Sequence, residues 1–132
     1  MDQPLPSIGR TTFTIHAIVA LCVGLPLLVA PLAFGGAFGY PAEPGLQPAL
    51  RAYGAMMLAF GGLTSFYGIR APTWAHVDYV VRGEMSFLAL QTLVFAISAL
   101  AGVGPALGNW VFAVCSAVLF ALFAATFAAR PK

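Results

Sequence analysis

The stretch LRAYGAMMLAFGGLTSFYGIR, residues 50–70, decides the fold class. It carries an arginine near each end, Arg51 and Arg70, and no charge between them. At a rise of roughly 1.5 Å per residue, the helix between these arginines is about 28 Å long, close to the roughly 30 Å hydrocarbon core of a bilayer. Gly54, Gly61 and Gly68 recur every seven residues, with Ser65 between the last two. Ala55, Ala59 and Gly62 lie beside them. Small residues at helical spacing let a second helix approach closely in lipid, where packing drives association. The stretch therefore reads as a membrane span, and as the central one against which the others pack.

The rest of the chain agrees. Of 132 residues, 61% are hydrophobic and 8% charged, against about 25% charged in a soluble domain. A soluble chain this short could not hide that much apolar surface, so the bilayer is its solvent. The expectation is an all-α, polytopic membrane protein forming a single domain over residues 1–132. Its four transmembrane helices, at about 12–34, 50–70, 78–101 and 109–128, are arranged up and down. Thr11 or Thr12 is placed to cap the first span, and Pro26 beside Gly24 is placed to bend it. Residues 35–48 hold four glycines and three prolines and read as a loop. Pro72 closes the second span, and residues 102–109 form the last turn. The first apolar run is too long for a signal-peptide core and leads into prolines, not a cleavage site.

Orientation follows from charge. Arg10, Arg70, Arg82, Arg130 and Lys132 fall on one side of a four-span topology, and only Arg51 on the other. This predicts both termini on the cytoplasmic side of a bacterial inner membrane. Tyr40, Tyr53 and Trp110 would mark the outer interface, and Tyr67, Trp74 and Tyr79 the inner one. The net charge of +2, with no basic patch, argues against a nucleic-acid partner. Cys22 and Cys115, alone in apolar spans, suggest packing and not a disulfide or metal motif.

Several polar residues are candidates for chemistry. Glu84, Gln91 and Ser98 recur every seven residues and predict one polar face on the third span. That face would serve as a proton or ion path, a head-group pocket, or hydrogen bonding between helices. Arg70, Arg10 and His16 are the expected partners of Glu84. His16 is a candidate ligand for haem iron or chlorophyll magnesium, or a histidine bonded to a neighbouring helix. Trp74 and His76 could line a quinone or lipid head-group site. Asp78 and Arg82, four apart, are expected to pair on a helix surface, and Glu43 and Arg51 to form an outer ion pair. Ala113, Ala117, Ala121 and Ala125 predict a second close-packing face, with Phe112, Phe120, Phe123 and Phe127 pointing elsewhere. No nucleophile–base set, phosphate loop or metal-spaced cluster is present, so no catalytic residue and no metal is assigned.

The first span ending in prolines, the Gly/Pro loop and RAYGAMMLAFG together resemble small bacterial four-helix membrane proteins of the DoxX-like kind, over roughly residues 21–101. The resemblance implies a structural part for Arg51 and Gly54. Length and span number are also similar to the small multidrug exporters, but those carry a carboxylate deep in span one, and none stands here. The function expected on these grounds is that of an accessory subunit. It would pack against membrane lipids and other subunits, or itself, in a larger energy-converting assembly. The competitors are an oligomeric transporter or channel on the Glu84 face, and a haem, chlorophyll or quinone binder through His16.

Overall fold

The computed structural model describes residues 3–131 and is all-helical, with no strand among the described residues. Three helices of 23 residues are long and apolar enough to cross a membrane: α1 (Ser7–Val29), α5 (Asp78–Leu100) and α6 (Ala106–Ala128). Two short α-helices follow α1: α2 (Pro31–Ala37) and α3 (Gln47–Met56). A seven-residue π-helical segment (Met57–Leu63) then leads into α4 (Thr64–Arg70).

The backbone stays right-handed helical through Met57 and Leu63, at both ends of the π segment. The stretch expected as a span at 50–70 is therefore helical without a gap from Gln47 to Arg70, a rod interrupted in hydrogen-bond register. The π segment divides it into pieces each too short to count as a membrane-length α-helix.

Prolines set the boundaries of the first span differently from the expectation. Pro6 precedes the first turn of α1, so the helix begins at Ser7 and neither Thr11 nor Thr12 caps it. Pro26 stays inside α1, and the break falls at Ala30 (φ −133°, ψ 58°), where Pro31 opens α2 at its first position. That position lacks an intrahelical hydrogen bond in any case, so proline costs least there. Likewise Pro105 lets α6 begin at Ala106, inside the stretch expected as a turn. Thr12 instead lies fully buried, with its hydroxyl 2.9 Å from that of Thr126 on α6. Contacts of this kind average about 0.6 kcal/mol in membrane proteins. Thr126→Val is accordingly expected to lower stability by about that amount, read by denaturation in mild detergent.

The helix that organises the bundle is α1, not the rod. It packs along the whole rod on one side and against α6 on the other, while α5 packs chiefly on α6. Gly54, Gly61, Ser65 and Gly68 all turn toward α1. At the closest crossing, a Cβ on Gly54 would lie 2.7 Å from the Gly24 carbonyl oxygen. One on Gly68 would lie 2.6 Å from the buried ring of Phe13.

The alanine stripe of α6 divides. Ala113 is buried and Ala117 half-buried, but Ala121 and Ala125 are exposed. A step of four residues advances about 40° beyond a full turn, so three such steps carry the stripe about 120° around the helix. The buried face follows mixed steps of three and four through Asn109, Ala113, Ser116, Leu119, Phe123 and Thr126. Phe123, expected to point elsewhere, is fully buried and meets Phe13 edge-on at 5.4 Å between centroids.

Loop contacts close both ends. At one, the Tyr40 hydroxyl donates to Asn109 Oδ1 at 3.0 Å, and Asn109 Nδ2 donates to the Val103 carbonyl at 2.7 Å. Burial raises the Tyr40 pKa above its ordinary value, so the phenol remains a donor. At the other, the Trp74 amide donates to the Gln3 carbonyl at 3.0 Å.

Candidate functional site

Three helices bring their polar side chains to one place in the bundle interior. His16 lies in the third turn of α1 and faces Gly61, whose missing side chain makes room for Ala20 one turn on. A Cβ at Gly61 would stand 3.4 Å from His16 Nε2 and 2.8 Å from Ala20 Cβ. The imidazole sits edge-on to Phe123, 5.1 Å between centroids. Its Nδ1 is 2.9 Å from Ser65 Oγ on α4, and its Nε2 faces Glu84 Oε2 on α5 at 3.9 Å. The second distance is too long for a direct hydrogen bond and is an electrostatic contact. Glu84 Oε1 is 2.9 Å from the Thr64 hydroxyl, which also contacts the Phe60 carbonyl.

His16 is 1% exposed and Glu84 6% exposed, so the pair is withdrawn from solvent. A buried ionisable pair of this kind is costly unless each member has partners. His16 has Ser65 and Glu84 has Thr64. With a hydrogen on Nε2, the neutral imidazole accepts from Ser65 at Nδ1 and turns its N–H toward Glu84; the imidazolium donates on both sides. Thr64 carries one hydrogen and faces two acceptors. It can donate to the Phe60 carbonyl or to Glu84, or share its hydrogen between them.

Glu84 and Thr64 form the floor of a lateral groove of about 320 Å³. Met56 and Phe60 line it from the rod, and Val80, Gly83 and Phe87 from α5. A Cβ on Gly83 would meet nothing within 4 Å, so the missing side chain leaves the groove open. The rod's departure from α-helical register, Met57–Leu63, ends at Thr64 beside the buried carboxylate. Such π segments are frequent at functional sites.

Of the partners expected for Glu84, His16 is present and Arg10 and Arg70 are not. Arg70 lies instead over the Phe66 ring at 4.1 Å. The seven-residue polar face does not act as one path. Gln91 bonds to the Tyr53 hydroxyl on α3, and Ser98 donates to the Val94 carbonyl of its own helix at 2.8 Å. The space beside Gln91 and Tyr53 is only about 20 Å³. Residues seven apart drift about 20° per step, which carries the face off the bundle seam toward the far end of α5. There α5 buries nothing beyond Leu88.

Among the described residues no ion pair joins Glu43 to Arg51. Both are exposed, where such a pair contributes little. Asp78 and Arg82 do pair, at 3.0 Å, and Trp74 Nε1 donates to Asp78 at 3.2 Å. No set of three metal-ligating side chains lies together among the described residues. Both ring nitrogens of His16, the expected haem or chlorophyll ligand, face protein groups, Ser65 and Glu84, and the ring is buried.

Thr64, Asn109 and Phe123 were not singled out for these roles by sequence reasoning. The Phe60-Gly61-Gly62 run before Thr64 is the signal that a break in helical register belonged there. The chain matches no family model, no curated protein and no solved structure.

Proposed function

We propose that this chain is a four-span protein of the bacterial inner membrane, with both ends cytoplasmic. In this reading it binds an amphiphile of the quinone class from within the bilayer, head group against Glu84 and Thr64. The topology is supported by Arg10, Arg70, Arg82 and Arg130 standing at the ends of segments that alternate in direction, with Arg51 alone at the opposite ends. The rod from Gln47 to Arg70 supplies the fourth crossing. The observation that carries the binding reading is the buried Glu84, held by His16 and Thr64 at the floor of an otherwise apolar groove. Ligand sites of this type are mostly apolar with a few placed polar groups, and an intramembrane carboxylate points to function by default.

The test exploits the empty position at Gly83. The Cβ of Gly83→Leu meets nothing within 4 Å and its side chain would occupy the groove, so its thermal stability should be no lower than the parent's. Titration of a short-chain quinone analogue into the protein in lipid nanodiscs should give saturable binding, weakened at least tenfold in Gly83→Leu. Absence of saturable binding, or equal affinity in the variant, would overturn the reading.

Association with another membrane subunit is the second reading. It rests on Ala121 and Ala125, whose small side chains are left exposed on α6. Stable monomeric behaviour in mild detergent, with no co-purifying protein, counts against it.

A further inference from the structure

A second depression lies at the end of the rod where α4 stops, separate from the Glu84 groove. It measures about 460 Å³ and is lined by Leu63, Phe66, Tyr67, Arg70, Pro72 and His76, among others. Its walls and its rim differ in kind. Leu63, Phe66 and Tyr67 are 65%, 50% and 70% exposed and form an apolar flank one helical turn deep and more. The rim carries a guanidinium and an imidazole.

Arg70 is held over the Phe66 ring at 4.1 Å and has no acidic partner among the described residues. Among the described residues the carboxylate closest to Arg70 in sequence, Asp78, is taken by Arg82 and Trp74. His76 is fixed by the 2.7 Å contact between its Nδ1 and the Thr73 hydroxyl. When Nδ1 accepts from Thr73, the hydrogen is on Nε2, away from that bond. The carbonyl end of α4 favours a cation here and adds nothing to anion binding, so attraction for an anion comes from the side chains alone.

We infer that this depression seats one anionic phospholipid of the adjoining leaflet, its phosphate on Arg70 and His76 and an acyl chain along Leu63, Phe66 and Tyr67. Charge complementarity commits the rim to an acidic head group. A guanidinium can engage phosphate oxygens through two parallel N–H donors, which a water-facing neutral surface cannot offer. The exposed flank gives the attached chain an apolar surface that a free anion would not use.

The experiment is native mass spectrometry of the intact protein released from bilayers containing equal amounts of phosphatidylglycerol and phosphatidylcholine. One phosphatidylglycerol should be retained in at least fivefold preference. Arg70→Gln should abolish the preference, and Arg51→Gln, an exposed arginine at the other end of the rod, should leave it intact. Thermal stability of Arg70→Gln should be unchanged, since Arg70 is exposed. Equal retention of the two lipids, or an unchanged preference in Arg70→Gln, overturns the inference. So does loss of the lipid on adding inorganic phosphate, which would make the rim an anion site with no lipid selectivity. Failure here leaves the Glu84 reading standing, because the two depressions share no lining residue.

Discussion

Replacing Gly54 by alanine is expected to lower stability by about 2 kcal/mol or more, a large effect for one added methyl group. The new Cβ would lie 2.7 Å from the Gly24 carbonyl oxygen, 2.8 Å from the Leu28 amide nitrogen and 2.9 Å from Leu27 Cβ. Two of these atoms are backbone and cannot rotate away, so α1 and the rod must separate. In the bilayer proposed above, that separation would not be resisted by a hydrophobic effect, since acyl chains solvate the exposed faces as well as leucine does. Lost packing is therefore the whole cost, and it is felt along the seam that also holds His16 against Ser65. Gly62→Ala supplies the control. A Cβ there meets nothing within 4 Å, so helix propensity alone acts and stability should hold or rise slightly, by up to about 1 kcal/mol. Denaturant titration of both variants in the same detergent makes the comparison. Similar midpoints for the two would mean that the Gly24–Gly54 crossing is not the tight contact described here.

That contrast between two glycines eight residues apart marks what the sequence could and could not reveal. Helical class and membrane-compatible length were legible because composition and span length are one-dimensional properties. The facing of Gly54, Gly61 and Gly68 was legible because a seven-residue interval keeps nearly the same face. Which helix met that face was not, since small residues on the rod do not identify α1 over α6. The alanines of α6 misled for a geometric reason: an interval of four looks regular in sequence yet winds off the interface. His16 and Glu84 were each visible as polar residues in apolar surroundings, and their meeting was among the alternatives. The groove was not visible at all. It depends on a π segment in one element and a missing side chain, Gly83, in another, and neither has meaning before the two are juxtaposed. Asn109 was hidden in a stretch read as a turn until Pro105 set the helix start ahead of it.

The His16–Glu84 pair is expected to show strong energetic coupling. His16→Leu leaves a buried carboxylate with Thr64 alone and strips Ser65 of its partner. Glu84→Leu leaves a buried imidazole with Ser65 alone. Leaving a buried polar group short of a partner costs about 1–3 kcal/mol from either side, because the remaining group keeps its desolvation penalty without its compensation. The double variant His16→Leu/Glu84→Leu removes both penalties, and apolar replacements of whole buried pairs are often neutral. Its stability should therefore recover well above the sum of the single losses, by 1 kcal/mol or more in a double-mutant cycle. Additivity within about 0.5 kcal/mol would show that the 3.9 Å contact does not join the two residues energetically. The same variant separates structure from function. If the pair serves only to fix the bundle, the apolar double variant should fold and still bind the quinone analogue in the groove. If Glu84 is the head-group anchor, the variant should fold and lose that binding.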